Sequence, residues 1–474
     1  MRGRFRVLMG LVLMLLLLSG CSFRSGDDLY ALPKTSDEYN SLRSSIQTLL
    51  DGGLEYAAPL SGSNTQQVQA VDLDADGTSE VVAFFRSATG LQVSVFWQNG
   101  EGEYQEMTTI TGQGSAINFV AYAQLDGEAN REIVLSWQIS SGVYALSAYG
   151  VAPGGSVELL SPRNYSRFSV ADLDRDGKDE LILLQLDASD AGNNRAEYYS
   201  WLDGGLVKQG EALLSDDMSM IDRLRISDLA DRKSALYITG YAADGGEGNN
   251  SRTQLTDILT LRDGMLVNVT WNESAQSSIS TRRRLFVADQ DLNGDGIWDI
   301  PIISALYERL DTGEVVLSDT VCLVTWIDFD SQGERRTVCS TYYNSSDGWY
   351  LEIPEQWHNQ VALTRRESTI GAATERSIEF YALSALEPGG GSRLEESGGR
   401  SVLTNTRSEL FMTIYKITGA DRQRRAELEG RTCLDMDTSD TCYCVTLTGE
   451  TPDEWTVRDV KQNLHIITTN WSIE

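Results

Sequence analysis

The feature that most constrains the fold of this 474-residue chain is an acidic segment that recurs along it. The segment reads VDLDADGTSEV over residues 71–81, ADLDRDGKDEL over residues 171–181 and DLNGDGIWD over residues 291–299. Two divergent copies begin at Gln124 and Asp228, so the copies start at 72, 124, 172, 228 and 291, with spacings of 52, 48, 56 and 63 residues. Such a period is close to that of a four-stranded propeller blade, about 40–50 residues, with room for longer loops.

The segments between the copies are short apolar runs separated by clusters of Gly, Asp and Asn, a pattern typical of strands and turns. The sequence therefore predicts a mainly β fold, a β-propeller with about five to seven four-stranded blades, plus a C-terminal α+β domain. Five blades are visible as repeats, and divergent segments would supply the others.

Each intact copy places oxygen-bearing side chains at positions 1, 3, 5 and 9, and a backbone carbonyl at position 7. Calcium takes roughly six to eight oxygen ligands at flexible geometry, and the glycine at position 6 lets the backbone turn sharply. The alternative is that Asp, Asn and Gly only form tight turns, but three copies with one ligand spacing favour calcium. The predicted ligands are Asp72, Asp74, Asp76, Thr78 and Glu80; Asp172, Asp174, Asp176, Lys178 and Glu180; and Asp291, Asn293, Asp295, Ile297 and Asp299.

The two divergent copies are expected to differ from the intact ones in metal binding. In the copy at Asp228, positions 3 and 5 are Ala230 and Arg232. A cation there would lose two ligands and meet a positive charge, so we expect no metal. The copy at Gln124 keeps three acidic positions but lacks the glycine, and the sequence leaves its metal binding open.

The intact copies resemble those of the FG-GAP or VCBS repeat proteins, whose integrin-α-like propellers carry Asp-x-Asp-x-Asp-Gly-x-x-Asp loops. The resemblance covers roughly residues 55–345, with Glu in place of the last Asp in two copies. It implies an FG-GAP/VCBS-like propeller over residues 54–346, with calcium loops between strands on one rim and partners at a propeller face or at loops between blades.

Outside the repeats, the chain divides into three further predicted regions. Residues 1–20 combine arginines with an apolar run from Val7 to Leu18, which is about a dozen residues and typical of a signal peptide rather than a membrane-spanning helix. Residues 21–53 form a tether and a short helix over Thr35 to Leu50, with capping-box spacing at its start. Residues 347–474 are predicted to form the separate α+β domain, the alternative being that their strands complete the propeller.

The end of the signal peptide, Leu18-Ser19-Gly20-Cys21, resembles the bacterial lipobox. In lipoproteins the equivalent cysteine is acylated and becomes the new N-terminus, and more than one acyl chain anchors a protein stably. We therefore expect a lipid-modified (palmitate-type) Cys21 that holds the body outside the cytoplasm on the bacterial cell membrane, at the cell surface.

Charge and cysteine content limit the partners and cross-links of the exported body. Lys and Arg number 39 against 69 Asp and Glu, a net charge of −30. Such a surface repels phosphate backbones, so nucleic acid is excluded as a partner. Five cysteines remain beside Cys21, and hairpins are predicted to place Cys322 opposite Cys339 and Cys433 opposite Cys444. Disulfides and buried thiols are both open for these pairs.

A binding or scaffold role without catalysis is the predicted function. Known nucleophile and zinc-protease motifs are absent, and His358 and His465 are the only histidines. Expected partners are the membrane, through the lipid, and a cell-wall glycan or envelope protein. Four tryptophans, Trp97, Trp137, Trp201 and Trp271, would stack on sugars if exposed but would otherwise belong to the core. The alternative function is a polysaccharide-active enzyme on a propeller scaffold.

Overall fold

The fold was analysed in a computed structural model, which describes residues 37–112, 114–150, 157–159, 165–187, 193–243, 253–284, 287–386, 392–397, 399–434, 440–448 and 452–467. The predicted signal peptide, Cys21 and the tether lie outside the described residues. Within the described part of the chain, none of the helices is long and apolar enough to cross a membrane. The chain separates into two compact units, residues 1–119 and 120–474.

The described part of the first unit contains one helix and the first antiparallel sheet. Helix α1 spans Asp37–Asp51, close to the predicted Thr35 to Leu50. The strands of the sheet are β1 (Glu55–Tyr56), β2 (Val68–Val71), β3 (Glu80–Ser87), β4 (Gly90–Gln98) and β5 (Tyr104–Gly112). Strands β1, β3, β4 and β5 lie side by side in that order, and β2 pairs with β3.

The core of the first unit forms because the apolar face of α1 is buried against this sheet. Leu42 and Ile46, one helical turn apart, pack in one cluster with Val81, Phe85 and Phe96. Fully burying a side chain of this size contributes about 1.5–3 kcal/mol to folding. The helix therefore covers one face of this sheet, in which β3 is the strand that follows the first repeat copy.

The next three sheets each follow the chain as an antiparallel meander. The second sheet contains β6 (Ala116–Ala123), whose range spans the division between the units, β7 (Glu132–Ser140), β8 (Val143–Tyr149) and β9 (Val157–Leu159). The third contains β10 (Arg167–Ala171), β11 (Glu180–Gln185), β12 (Arg195–Leu202) and β13 (Gly205–Leu213). The fourth contains β14 (Met218–Asp228), β15 (Ser234–Ala242), β16 (Thr253–Arg262) and β17 (Met265–Asn268), with β18 (Arg283–Arg284) paired to β16.

The fifth sheet has twelve strands and contains the C-terminal part of the chain. Its first six strands are β19 (Ile300–Arg309), β20 (Val315–Phe329), β21 (Arg335–Asn344), β22 (Trp349–Ile353), β23 (Val361–Ile370) and β24 (Ala373–Ala385). The remaining six are β25 (Arg393–Ser397), β26 (Arg400–Thr404), β27 (Thr406–Gly419), β28 (Thr432–Cys433), β29 (Thr441–Leu447) and β30 (Leu464–Ile466). Two short helices belong to the same region, α2 (Arg422–Ala426) and α3 (Val457–Asn463).

The predicted boundary between residues 346 and 347 falls in the turn between β21 and β22, which are neighbouring strands of the fifth sheet. Strand β19, which follows the last repeat copy, also pairs in parallel with β23. The core of this sheet includes Trp349, Trp357 and Phe380, together with Leu306 and Leu323 from before the predicted boundary. Strands from both sides of residue 346 therefore share one sheet and one core.

The mainly β prediction is confirmed, because several antiparallel sheets make up most of the described chain. One detailed prediction is wrong, since Cys322 and Cys339 do not face each other. The β20–β21 hairpin turns near Asp330 as expected, but its register places Cys339 opposite Trp326. Cys322 lies four residues further from the turn than Trp326 and pairs with Ala305 on the other neighbouring strand.

Candidate metal-binding loops

The repeat copies occupy equivalent places in successive sheets. The copies that begin at 72, 124, 172 and 228 connect the strand pairs β2–β3, β6–β7, β10–β11 and β14–β15. Each of these pairs begins with the strand before the loop and continues into a mostly buried strand of the same sheet. The copy at Asp291 precedes β19, the first strand of the fifth sheet. The repeat in the sequence is therefore a repeat of one connection in the structure.

The three intact loops fold with the same set of hydrogen bonds from backbone N–H groups to loop carboxylates and amides. The position-1 Oδ2 atom accepts the N–H of the position-6 glycine, at 3.1 Å for Asp72, 3.1 Å for Asp172 and 2.9 Å for Asp291. The position-9 carboxylate accepts the N–H of the position-2 leucine, at distances of 2.7, 2.9 and 2.9 Å in chain order. These bonds hold both ends of each loop together and direct its side-chain oxygens inward.

Positions 3 and 5 complete the shared pattern. The side-chain oxygens of Asp74, Asp174 and Asn293 accept the N–H of position 5, at 3.2, 3.1 and 3.1 Å. The position-5 carboxylates of Asp76, Asp176 and Asp295 accept the N–H of Thr78, Lys178 and Ile297, at 2.6, 2.8 and 2.8 Å. The backbone has a positive φ at the glycine of position 6, 88° for Gly77 and 92° for Gly177, which a residue with a Cβ rarely adopts.

Each intact loop nevertheless leaves one buried carboxylate oxygen without a hydrogen bond. These atoms are Oδ1 of Asp72, Oδ1 of Asp172 and Oδ1 of Asp299. An unpaired buried carboxylate oxygen destabilises the fold, because no hydrogen bond compensates for its removal from water. A bound cation would compensate for that loss, so the oxygen ligands of the loops fit a hard, oxygen-preferring ion.

The ionisation of these carboxylates supports the same conclusion. Burial raises the pKa of Glu180 to about 8 and that of Asp299 to about 7; the Leu173 and Leu292 N–H groups oppose the rise, and the neighbouring aspartates add to it. Burial also raises the pKa values of Glu80 and Asp174. The charged forms of these acids are thus unfavourable in the fold without a positive partner.

The first two loops each bring three carboxylates together. One oxygen each from Asp72, Asp74 and Glu80 lies within 4.8 Å of the others, and the same is true of Asp172, Asp174 and Glu180. Among the described residues, the third loop shows no such group of three acids. The reason is that Asn293 replaces an acid at position 3. Asp291 Oδ1 accepts the N–H of Gly294 at 2.8 Å and of Asp295 at 3.1 Å.

The divergent copy at Asp228 forms a shorter connection than the intact loops. The N–H of Leu229 donates to the carbonyl of Lys233 at 2.8 Å, and β15 begins at Ser234. Position 9 of this copy is Leu236, which is fully buried within that strand. The second strand thus begins two residues earlier than in the loops at 72 and 172, and position 9 has no acid. The absence of metal from this copy stays a prediction.

The divergent copy at Gln124 keeps part of the intact geometry. The N–H of Leu125 donates to Glu132 at 2.8 Å, as the equivalent leucines do in the intact loops. Glu128 donates its N–H to Asp126 at 2.8 Å. The acid at position 9 therefore closes the loop through this hydrogen bond, whether or not the other positions carry metal ligands. Sequence analysis assigned it only to metal binding.

Neighbouring loops in the second unit also contact one another. The N–H of Gln124 donates to Asp179 at 2.8 Å, and Arg175 forms an ion pair with Asp228. Arg232, the residue expected to repel a cation, donates to the carbonyl of Asp295 at 2.8 Å. The four loops that begin at 124, 172, 228 and 291 thus form a connected row. Sequence analysis missed these contacts, because they join residues that are 50 or more positions apart.

The tryptophans and histidines that the sequence singled out differ in burial and in their contacts. Trp137 is only 2% exposed and belongs to the core, whereas Trp97, Trp201 and Trp271 are half-buried. His465 places Nε2 at 3.1 Å from Oε1 of Glu352, and its ring stacks on Tyr350. No motif around His465 predicts that pairing.

Comparisons with known proteins give no family for this chain. No family model matches it, and no curated protein matches it. Among solved structures, a protein from Lactobacillus plantarum is 10% identical, with 73% of this chain and 86% of that chain covered and a TM-score of 0.26. A hypothetical selenium-binding protein from Sulfolobus tokodaii is 11% identical, with 70% and 77% covered and a TM-score of 0.22. The core factor of S. cerevisiae is 9% identical, with 84% and 58% covered and a TM-score of 0.26. Likenesses this weak do not define the fold or the function.

Proposed function

We propose that this chain is an exported lipoprotein whose body is a calcium-binding β-propeller that binds or scaffolds a partner and does not catalyse a reaction. The observation that carries the calcium part is the equivalence of the three intact loops. They share four hydrogen bonds, and each leaves one buried carboxylate oxygen unpaired. Turn formation alone accounts for the hydrogen bonds but gives no role to the unpaired oxygens.

The propeller part is supported by the order of the strands. In the second and third sheets, four consecutive strands form a meander in chain order, and in each a repeat loop joins the first strand to the second. A blade has this construction, and repetition of blades leaves only short sheet edges. We further propose that about five to seven such sheets are arranged as blades around a central axis.

Calcium would be held by the fifteen predicted ligand positions, with the carboxylates supplying most of the charge. When bound, the ion offers positive charge to groups such as Glu180 and Asp299 that otherwise favour their protonated forms. The first two loops already bring three carboxylates together, so they are expected to bind more tightly than the third. The lipid on Cys21 would place this body outside the cytoplasm.

Calcium titration of the mature body tests the proposal. We expect three sites by calorimetry and a rise in melting temperature with calcium, because a ligand that binds only the native state stabilises it by about 2.7 kcal/mol at a hundredfold excess over Kd. A variant with Asp74→Ala, Asp174→Ala and Asn293→Ala should lose both effects.

A matched control likewise removes two carboxylates and one amide, at positions elsewhere in the chain. Glu395, Glu427 and Asn359 are exposed and lie outside the loops. Their triple alanine variant should bind calcium like the wild type. Absence of binding at millimolar calcium in the wild type, or an equal loss in both variants, would reduce the loops to turns and refute the calcium proposal.

A further inference from the structure

A pocket of about 220 Å³ adjoins the loop that begins at Asp172. It lies between that loop and the hairpin formed by β12 and β13, and it belongs entirely to the second unit. Its lining includes the loop acids Asp174, Asp176 and Glu180, the loop residue Lys178, and Tyr198 and Trp201 from β12. The volume is below the range of roughly 300–1,000 Å³ that drug-sized ligands occupy, so it suits one small ring.

Two lining groups are left without the partners that a closed protein interior would give them. Glu180 is only 3% exposed, yet its single hydrogen bond from the described residues is the N–H of Leu173 at 2.9 Å. Trp201 is half-buried, and its indole N–H has no acceptor within the described part of the chain. By contrast, the half-buried Trp271 donates its N–H to Glu273 at 3.0 Å. The indole N–H is therefore available to a ligand in the pocket, whereas Glu180 is the predicted calcium ligand at position 9 of the adjoining loop.

The polar lining contains both donors and acceptors. Carboxylates accept hydrogen bonds, the Lys178 ammonium and the indole N–H donate them, and the side chains of Ser200 and Gln209 do both. The indole ring adds a flat apolar surface next to a polar edge. Hydroxyl groups on a compact ring, which donate and accept in turn and leave apolar C–H faces, match this combination.

The charges of the lining argue against other small ligands. An anion would face four carboxylates, those of Asp174, Asp176, Asp179 and Glu180, against the one ammonium of Lys178. A cationic side chain would meet Lys178 and would compete with calcium for the loop acids. A neutral, hydroxyl-rich ligand avoids both conflicts.

We propose that this pocket, the Trp201 pocket, binds a neutral saccharide unit, with the ring stacked on Trp201 and its hydroxyls bonded to the side chains of Lys178 and Gln209. The inference rests on the proposed role of the body as a binding module, and it names the class of ligand. Because Asp174, Asp176 and Glu180 belong both to the pocket and to a calcium loop, calcium would fix the shape of the pocket wall.

Binding of the mature protein to a printed array of neutral mono- and oligosaccharides tests the inference, with excess calcium or with a chelator. We expect a saccharide signal in calcium. Trp201→Ala should weaken it about tenfold, because the variant removes the flat apolar surface on which the sugar ring stacks. Trp201→Phe should retain part of the affinity, and the matched control Trp271→Ala should leave it unchanged.

Calcium titration of the same variants separates this inference from the calcium proposal. Trp201→Ala should bind calcium like the wild type, which shows that the loss of saccharide does not come from an unfolded loop. If no neutral saccharide is retained, or if Trp201→Ala and Trp271→Ala behave alike, the pocket assignment is overturned while the calcium sites stand. Retention of a lysine-rich peptide in place of saccharides would likewise overturn it. A saccharide signal that depends on Trp201 in a protein that binds no calcium would keep the pocket and refute the calcium proposal.

Discussion

At the scale of single residues, the acid at position 9 of each loop has two separable roles. In the copies at 72, 124 and 172 it is a glutamate that is 1–3% exposed and accepts the N–H of the leucine at position 2. In the intact copies it also lies among other acids, as with Glu180 beside Asp172 and Asp174. The hydrogen bond closes the loop, and the neighbouring acids create the need for a cation.

This distinction gives a test with a matched pair of variants. Glu180→Gln keeps an acceptor for Leu173 but removes the charge, so we expect one calcium site to be lost. Because burial raises the pKa of Glu180 to about 8, the calcium-free variant should be at least as stable as the calcium-free wild type near neutral pH. Glu132→Gln makes the same change in the copy that lacks the glycine, and it should leave the number of calcium sites unchanged. Calorimetry and thermal unfolding would show both effects. An equal loss of sites in the two variants would contradict the separate roles.

At the scale of structural elements, register decides which cysteines are able to cross-link. Cys433 on β28 and Cys444 on β29 are directly opposite, as the sequence predicted. The neighbouring pair is hydrogen-bonded, with the N–H of Leu434 donating to the carbonyl of Tyr443 at 2.9 Å. Cys433 and Cys444 therefore occupy a non-hydrogen-bonded position, where Cα atoms are about 4.5 Å apart, within the usual disulfide range.

We predict that Cys433 and Cys444 form a disulfide when the folded protein meets oxidised glutathione, a small-molecule disulfide. The two thiols would lose two electrons and two protons, and the glutathione disulfide would be reduced to two thiols. Peptide mapping without reductant should find Cys433 linked to Cys444, and reduction should lower stability by about 2–3 kcal/mol. Cys322 and Cys339 should remain thiols because their strands hold them out of register. A link between those two, or none at Cys433, would contradict the register argument.

At the scale of the whole molecule, charge balance is the dominant property. A net charge of −30 produces self-repulsion in the compact state, and removal of the three signal-peptide arginines would take the mature body to −33. Eleven of the 69 acids lie at the ligand positions of the three intact loops, where calcium would neutralise part of their charge. Protein cations neutralise another part, as when Arg175 pairs with Asp228.

We expect the melting temperature of the calcium-free protein to rise with sodium chloride, because salt screens repulsion between exposed acids. The rise should be smaller in saturating calcium, since bound ions have already offset charge at the loops. A melting series over ionic strength, with and without chelator, would measure the difference. Destabilisation of the calcium-free protein by moderate salt would show that self-repulsion does not limit its stability.

The sequence by itself determined the local features of this protein. The spacing of the acidic repeat located the loops that precede β3, β7, β11, β15 and β19. The pattern of apolar runs around these loops predicted a mainly β chain. Ligand spacing, the glycine at position 6 and the loss of ligands at Ala230 and Arg232 are all readable within one copy. These features are local because hydrogen bonds within a loop of about nine residues depend on side chains close in the chain.

Only the tertiary structure decided the features that depend on distant residues. Examples are the row of contacts between loops, the Trp201 pocket, the register of Cys339 against Trp326, and the single sheet that spans residues 300–466. Another is Asp257, which is fully buried and accepts hydrogen bonds from Ser215, Asn268 and Ser278. Nothing in its own segment marks it, because long-range packing and strand register pair residues whose separation in the sequence carries no periodic signal.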